Sequence, residues 1–415
     1  MTKEDKIQQV FTIIKKLNKL SVLRGILDTS VFKLLINMLS DVLNNNIINA
    51  EKTYYKILNK LFEADIERLS GSLFKDYIIN FILTSENAFT DKISSDSIID
   101  SLSLALENDI NSLLQISELS AEQIALWCSN DSQTTTIALH SESKSLTEYF
   151  DASPEVIKCV FSNWQYEHQY LTSNCALITG YTVLTENEGT IRIAKLIDFY
   201  KSYGTGIFLK SRVLRSSSDK LFYPISDSLF EYNSQSINSK ERDYLYSNAE
   251  AFINDEGMNT VVIGQEGSGK TYLIHSLINE YTNLHFICIN GRDCSKLSLL
   301  FDSLAKQPIN FIVLIDDAEF AENELSINIG THHQPANVLV IAACNSDRIK
   351  NLFDYIIELP TVTPEYASDV ICNLLDRNDI DNIKNICLDY QIETKSELSC
   401  KSIDTIIKRL SYSKQ

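Results

Sequence analysis

Apolar residues recur along the first 130 positions at the spacing of amphipathic helices. Two stripes show this spacing: Ile7, Val10, Phe11, Ile14 and Leu17, then Phe32, Leu35, Leu39 and Val42. Residues three and four apart share one face of a helix, so each stripe predicts a helix that buries one side. The stretches "DVLNNNIINAEK" and "LTSENAFTDK" indicate breaks between helices. We therefore predict an α-helical N-terminal domain over residues 1–130.

The pattern is mixed over residues 131–235. "IRIAKLIDFYKSYGTGIF" predicts a helix that ends near the Gly204-x-Gly206 turn. "FLKSRVLRSSSDKLFYPI" predicts a β-hairpin whose turn lies at "SSSDK". We interpret this part as a mixed α/β connecting region.

From residue 236 onward, short and almost wholly apolar runs alternate with helix-like stretches. The runs are "TVVIG" (260–264), "HFICIN" (285–290), "FIVLIDD" (311–317), "VLVIAACN" (338–345) and "DYIIELP" (354–360). Such runs are typical of strands in a sheet that helices cover on both faces. The pattern predicts an α/β core with a five-stranded parallel sheet over residues 236–360, followed by a small helical segment over residues 361–415.

The first run leads into "GQEGSGKTY", which fits the spacing G-x-x-x-x-G-K-[ST] and precedes an amphipathic helix. Glycines in such a loop let backbone N–H groups turn toward phosphates, and the helix N-terminus adds a positive partial charge. Lys270 would reach the β- and γ-phosphates, and the Thr271 hydroxyl would ligate Mg²⁺. The candidate phosphate-binding residues are Gly264, Gly267, Ser268, Gly269, Lys270, Thr271 and Tyr272.

Polar side chains end two later runs. "FIVLIDDAEF" places Asp316 and Asp317 at the tip of a strand, where ligands of open α/β sheets collect. Asp316 would hold Mg²⁺, and Asp317 would orient and polarise an attacking water as a general base. Asn345 ends "VIAACN" and would touch the terminal phosphate or that water, although a helix-capping Asn gives the same pattern. "NGRD" and "NSDR" lack the lysine of the guanine motif N-K-x-D, so ATP is the expected nucleotide.

The net charge and the spacing of the cysteines indicate which partners and which cellular compartment to expect. A net charge of −18 at pH 7 makes nucleic acid an improbable partner, because phosphate backbones repel an acidic surface. None of the nine Cys forms a C-x-x-C pair, which favours free thiols in a reducing compartment. "MTKEDKIQQV" has no apolar signal core, and no apolar run is long enough to cross a bilayer. We expect a cytoplasmic protein that does not associate with membranes.

The stretch "SNAEAFINDEGMNTVVIGQEGSGKTYLIHSLINEY", together with "FIVLIDDAEF", resembles the bacterial AAA+ family catalogued as domain of unknown function 815. "DFYKSYGTGIFLKSRVLRSSSDKLFYPI" resembles the segment that joins that family's helical region to its ATPase core, so the similarity is expected over most of the chain. The resemblance implies an AAA+ type P-loop NTPase core with an N-terminal helical domain and a helical C-terminal lid. In the AAA+ sheet, the strand ending at Asn345 lies between the phosphate-loop strand and the Asp316 strand.

The sequence departs from this resemblance at three positions. Most ATPases of this kind have Glu where this chain has Asp317. The family carries an Arg in an Asp-Arg-Phe context, and the matching place in this chain is Asp354-Tyr355. Arg348 is the nearest candidate to replace that Arg, but we do not expect it to do so. The family's sensor Arg in the lid is replaced by Lys401, and a lysine cannot fork onto two phosphate oxygens.

The leading hypothesis is an ATP-binding AAA+ protein, and a probable ATPase, that hydrolyses ATP slowly. It would couple its nucleotide state to an unidentified partner protein, contacted through the N-terminal helices, and a homo-oligomer is compatible with the family. The alternatives are a nucleotide-gated binding module with little turnover and, disfavoured by the acidic charge, a DNA-associated loader or helper ATPase.

Overall fold

A computed structural model describes residues 2–95, 97–128, 163–166, 174–226, 238–329 and 333–412. The chain divides into two compact units, Met1–Lys210 and Ser211–Gln415. We call the first the helical unit and the second the sheet unit, after the elements that build each of them.

The helical unit contains nine described α-helices. They are α1 (Lys3–Asn18), α2 (Ser30–Leu43), α3 (Ile47–Glu63), α4 (Leu73–Thr84), α5 (Thr90–Ile93), α6 (Asp100–Ser117), α7 (Ala121–Cys128), α8 (Cys175–Glu186) and α9 (Gly189–Tyr203). The second predicted stripe is buried along α2, because Phe32, Leu35, Leu39 and Val42 all lie in the core. The first stripe is only partly buried: Val10 and Leu17 are enclosed, whereas the side chains of Ile7 and Phe11 are 40% and 58% exposed.

One apolar core runs through the helical unit and includes helices from both sides of residue 130. Leu184 and Leu196 of α8 and α9 belong to the same cluster as the residues of α1 to α7. A buried ion pair supports this packing, since Arg192 Nη1 donates to Glu107 Oε1 on α6 at 2.9 Å. Helices α8 and α9 lie within residues 131–235, which the sequence predicts as a connecting region, and their apolar residues pack into the helical core.

The sheet unit alternates strands and helices. The strands are β1 (Val213–Ser216), β2 (Tyr223–Pro224), β3 (Thr260–Ile263), β4 (His285–Asn290), β5 (Phe311–Asp316), β6 (Val338–Cys344) and β7 (Tyr355–Glu358). The helices are α10 (Ser239–Ile253), α11 (Lys270–Glu280), α12 (Leu297–Leu304), α13 (Glu322–Asn328), α14 (Pro364–Leu375), α15 (Ile380–Thr394) and α16 (Cys400–Tyr412). The five apolar runs of the sequence thus form β3 to β7.

The described strands form one sheet in the order β2-β1-β4-β5-β6-β3-β7. Every pair is parallel except β1 with β2, which is the predicted hairpin. The strand that ends before Asn345 lies between the phosphate-loop strand and the Asp316 strand, as predicted. The α/β class with its parallel sheet is confirmed, but the count of five strands is too low. The hairpin joins the sheet through parallel pairing of β1 with β4, and this long-range contact leaves no local signal.

Burial explains why these runs form central strands. Every residue of β6 is enclosed, and α11 packs Leu273 and Leu277 against the sheet. The C-terminal helices have a small core of their own, in which Ile371, Ile383 and Ile403 bring α14, α15 and α16 together. The limits predicted for the four regions of the chain are not tested by the division into two units and stay predictions.

Among the described residues, no helix combines the length and the apolar character that a membrane span requires.

Candidate functional site

The phosphate loop connects β3 to α11 at the carboxyl edge of the sheet. Gly267 and Gly269 have φ values of 81° and 96°, which L side chains rarely adopt. Their surroundings also exclude a side chain: a Cβ at Gly267 would lie 2.8 Å from Ser399 Cβ, and one at Gly269 would lie 2.8 Å from Cys400 Sγ. Both positions therefore need glycine for conformation and for space.

Lys270 begins α11, and its side chain is 8% exposed. Its Nζ donates to the carbonyl oxygens of Gly264 and Gln265, each at 2.8 Å, so the loop wraps around the cation. Burial lowers the pKa of Lys270, while the charges of Asp316 and Glu319 act in the opposite direction. The ammonium group lies at the centre of the loop, where a phosphate group would gain most from it.

Thr271 and Asp316 meet beside this loop. The Thr271 hydroxyl donates to both carboxylate oxygens of Asp316 at 2.9 Å. Burial raises the pKa of Asp316, the Thr271 hydrogen bond lowers it, and the charge of Asp317 raises it again. A hydroxyl and a carboxylate side by side offer hard oxygen donors, which suit Mg²⁺ together with phosphate oxygens.

Asp317 directly follows β5 and has left-handed backbone angles of φ 51° and ψ 43°. Its Oδ2 accepts a hydrogen bond from Asn290 Nδ2 at 3.0 Å. Asn290 ends β4, and the register pairs it with Asp316 on β5. Sequence reasoning missed Asn290, although its position offered a signal: a polar residue ends an apolar strand at the edge where the acidic strand also ends.

Asn345 follows β6 and is held by a carboxylate that sequence reasoning also missed. Its Nδ2 donates to Glu319 Oε1 at 2.7 Å, and its backbone N–H donates to Glu319 Oε2 at 3.3 Å. Burial acts to raise the pKa of Glu319, but hydrogen bonds from its own backbone and from Asn345 outweigh burial and lower it. The Asn345 amide is thus already engaged by a group of the same chain.

A cavity of about 1010 Å³ brings most of the candidate residues together. Its lining includes Gly267, Gly269, Lys270, Thr271, Tyr272, Asp316, Asp317 and Asn345. Gly264 and Ser268 do not line it. Ser268 is buried, and a Cβ at Gly264 would lie 2.7 Å from Ser268 Oγ. The volume suits a nucleotide, and the caged ammonium and the paired oxygen donors suit its phosphates and a divalent cation.

Two further cations line the same cavity, Arg292 and Lys401. Arg292 follows β4, and Lys401 lies in the first turn of α16, where the resemblance predicts a sensor residue. Tyr355 stands where the family's Arg is expected, and its ring stacks on Tyr244 with centroids 3.9 Å apart. Arg348 is exposed and is not among the residues that line the cavity.

The N-terminus of α16 closes one side of the phosphate loop. The Cys400 N–H donates to the Gly267 carbonyl oxygen at 2.9 Å. From the other side, Asn238 Nδ2 donates to the Ser268 carbonyl oxygen at 3.2 Å, and the Tyr366 hydroxyl donates to Asn238 Oδ1 at 2.8 Å. The C-terminal helices are therefore hydrogen-bonded to the loop in two ways: directly from Cys400, and from Tyr366 through Asn238, the residue that precedes α10.

Comparison with known families confirms the resemblance over the central part of the chain. Residues 215–351 match the family described as "Protein of unknown function (DUF815)". The match runs from the end of β1 through β6 and includes the predicted phosphate loop and the acidic strand. It is shorter than the coverage of most of the chain that the sequence led us to expect. No curated protein matches the chain.

Solved structures of two other proteins overlap with parts of the chain. One is Thermotoga maritima RuvB, titled a Holliday junction branch migration motor, with 15% identity, a TM-score of 0.26 and coverage of 42% of this chain and 70% of that one. The other is C. elegans PCH-2, with 17% identity, a TM-score of 0.26 and coverage of 43% of this chain and 58% of that one. At TM-scores this low, the overlaps carry no argument about what the chain binds or does.

Proposed function

We propose that the chain binds ATP with Mg²⁺ in the cavity between the phosphate loop and the acidic strand, and hydrolyses it slowly. The observation that carries the proposal is the caged ammonium of Lys270 beside the Thr271–Asp316 pair. Glycines at 267 and 269 with positive φ support it, because they let the backbone approach a phosphate closely. Slow hydrolysis would couple the nucleotide state to a partner protein, as the AAA+ resemblance implies.

Each side chain would have a distinct role. Lys270 would leave the two carbonyls for the β- and γ-phosphates, and Thr271 and Asp316 would hold Mg²⁺ directly or through water. When bound, Mg²⁺ neutralises charge that develops on the phosphate oxygens. Asp317, oriented by Asn290, would polarise the attacking water, and Asn345 would help to position it.

A nucleotide-gated binding module with little turnover is the second candidate. It is favoured by the Asn345 amide, which is bonded to Glu319 and would have to be released before it could touch a phosphate or water. It is also favoured by Tyr355, which stacks on Tyr244 where the resemblance predicts an Arg. An Arg supplied at the terminal phosphate can raise turnover by about 10³-fold or more, so its loss slows hydrolysis without preventing binding.

The test is calorimetric titration of the full chain with Mg·ATP, with phosphate release followed in parallel. We expect Lys270→Ala to weaken ATP binding about 30-fold, since charged hydrogen bonds contribute roughly 2 kcal/mol. Lys306→Ala, an exposed lysine of the same unit, should bind like the wild type. Equal affinity in all three proteins would refute ATP binding at this loop. Binding with no phosphate release would favour the second candidate.

A further inference from the structure

We propose that Arg292 contacts the terminal phosphate of the bound nucleotide from within the same chain, and thereby makes the site prefer a triphosphate over a diphosphate. The inference rests on the proposed function, because it concerns the same cavity. It adds a residue that neither the phosphate-loop spacing nor the resemblance assigns. Arg292 would supply, in the same subunit, the positive charge that is absent at Tyr355.

Hydrogen bonds fix Arg292 on the side of the cavity where Asp317 lies. The Arg292 backbone N–H donates to Asn290 Oδ1 at 3.1 Å, and the Nδ2 of the same Asn290 donates to Asp317 Oδ2. Gly291 packs so closely on the Asp317 carbonyl oxygen that a Cβ there would collide with it. Arg292 therefore lies beside Asp317, the carboxylate proposed to polarise the attacking water, and both residues line the cavity.

An aromatic ring supports the guanidinium. The Arg292 Cζ lies 4.4 Å from the centroid of the Phe320 ring, which is close for a cation–π contact. Phe320 is 53% exposed, which is unusual for a large aromatic residue at the rim of a polar cavity. Asp316, Asp317 and Glu319 line the same cavity, yet no ion pair of Arg292 occurs among the residues that the structure describes. The ring thus holds the charge without occupying its N–H donors.

The chemistry of the guanidinium fits a terminal phosphate. Its planar fork donates two parallel hydrogen bonds to a phosphate group, and stacking on an aromatic ring reduces the rotamer entropy lost on binding. The γ-phosphate of ATP carries more negative charge and more non-bridging oxygens than the α- and β-phosphates of ATP, and ADP lacks this group. Removing Arg292 should therefore weaken ATP binding while leaving ADP binding almost unchanged.

The experiment compares Mg·ATP and Mg·ADP affinities of the full chain by titration. We expect Arg292→Ala to lower the ratio of ATP to ADP affinity about tenfold or more, the size expected for a charged hydrogen bond. Phe320→Ala and Arg292→Lys should give intermediate losses, because one removes the support and the other keeps the charge without the fork.

Arg409→Ala is the matched control. Arg409 is also exposed and also lies over an aromatic ring, with its Cζ 5.1 Å from the Tyr390 centroid, but it does not line the cavity. The ratio of ATP affinity to ADP affinity in Arg409→Ala should equal that of the wild type. An equal loss of ATP and ADP affinity in Arg292→Ala, or no loss, would overturn the inference and leave the proposed function intact. A wild type that binds neither nucleotide would overturn both.

A mixing experiment separates action within a chain from action on a neighbouring copy. Lys270→Ala and Arg292→Ala proteins are combined, and triphosphate binding and phosphate release are measured. If Arg292 acts within its own chain, no mixed assembly contains a complete site, and neither quantity recovers. Recovery above the sum of the separate variants would show that Arg292 serves a neighbour's nucleotide, and this would contradict the proposal.

Discussion

Asp317 and Glu319 stand two residues apart after β5 but hold different partners. Asp317 accepts a hydrogen bond from Asn290 on the neighbouring strand through one carboxylate oxygen, Oδ2, and it lines the cavity. Glu319 accepts from both the side chain and the backbone of Asn345. The first arrangement suits a group that polarises water, and the second suits a group that holds the β6 tip in place.

These partners predict different effects of neutralising each carboxylate. Asp317→Asn should lower phosphate release about 100-fold or more, the usual contribution of a general base, with ATP affinity retained. Glu319→Gln should lower phosphate release less than Asp317→Asn does, because this substitution disturbs only the position of Asn345. Single-turnover phosphate release measures both effects, and Glu322→Gln, an exposed position in the first turn of α13, is the control. A larger loss in Glu319→Gln than in Asp317→Asn would assign the base to Glu319.

The residues of the loop could be predicted because their spacing is local. The turn from β3 into α11 needs glycine and lysine at fixed offsets, so "GQEGSGKTY" predicts the whole loop. Asn290 and Arg292 could not be found this way, because the register of β4 on β5 brings them to Asp317 from 25 or more positions away in the chain. Glu319 was missed for a simpler reason: the loop-and-strand motif has no acidic position there.

At the scale of elements, the first turn of α16 contacts the predicted phosphate loop and lines the cavity. Cys400 lines the large cavity and also a small adjoining pocket formed by Asn238, Arg242 and Tyr272. Its thiol packs on Gly269, and its N–H is bonded to the Gly267 carbonyl oxygen. A nucleotide that spans both spaces would therefore cover the thiol or shift the start of α16.

Thiol labelling tests this placement. Burial raises the pKa of Cys400 to about 11, so the reactive thiolate is scarce at pH 8 and its labelling rate should rise with pH until about pH 11. We expect Mg·ATP to slow alkylation of Cys400 about tenfold or more when its free concentration is about ten times Kd or higher. Under that condition, less than about a tenth of the protein has an empty site. Mass spectrometry gives the site-specific rate.

Cys175 is the internal reference, because it is exposed and lies in the helical unit. Its rate should not respond to the nucleotide, and Lys270→Ala should lose the protection of Cys400. Unchanged labelling of Cys400 at a nucleotide concentration that saturates binding would show that α16 does not sense the site.

Strands and helices could be predicted wherever their pattern depends only on residues close together in the sequence. The turn "SSSDK" predicts the hairpin because its Ser217–Lys220 bond is local. The same hairpin could not be assigned to the sheet, because β1 contributes only four residues and pairs with a strand about 70 positions later. The exposure of Ile7 and Phe11 on α1 could not be predicted for a similar reason. Helical spacing indicates which residues share a face, but it does not indicate how much of that face a neighbouring helix covers.

At the scale of the whole molecule, the two units have separate apolar cores. The helical core is closed around an aromatic group in which the rings of Tyr54 and Phe74 lie against Trp164, with centroids 5.4 and 5.0 Å away. Among the described residues, the apolar clusters of the sheet unit begin at Val213 and include none that precedes it. Every candidate residue of the nucleotide site also lies in the sheet unit. The proposed nucleotide site therefore contains no described residue of the first 210.

This separation predicts that residues 211–415 bind Mg·ATP alone. No described residue of the helical unit belongs to their cores, sheet or candidate site. The affinity should therefore stay within about threefold of the full chain, a smaller change than the tenfold that about 1.4 kcal/mol represents. Titration of the purified fragment measures this, with circular dichroism to verify folding and the Lys270→Ala fragment as control. A folded fragment that has lost ATP binding would mean that the helical unit contributes to the site. Retained binding would leave the helical unit, with its exposed Ile7 and Phe11, as the part of the chain in which to seek a partner.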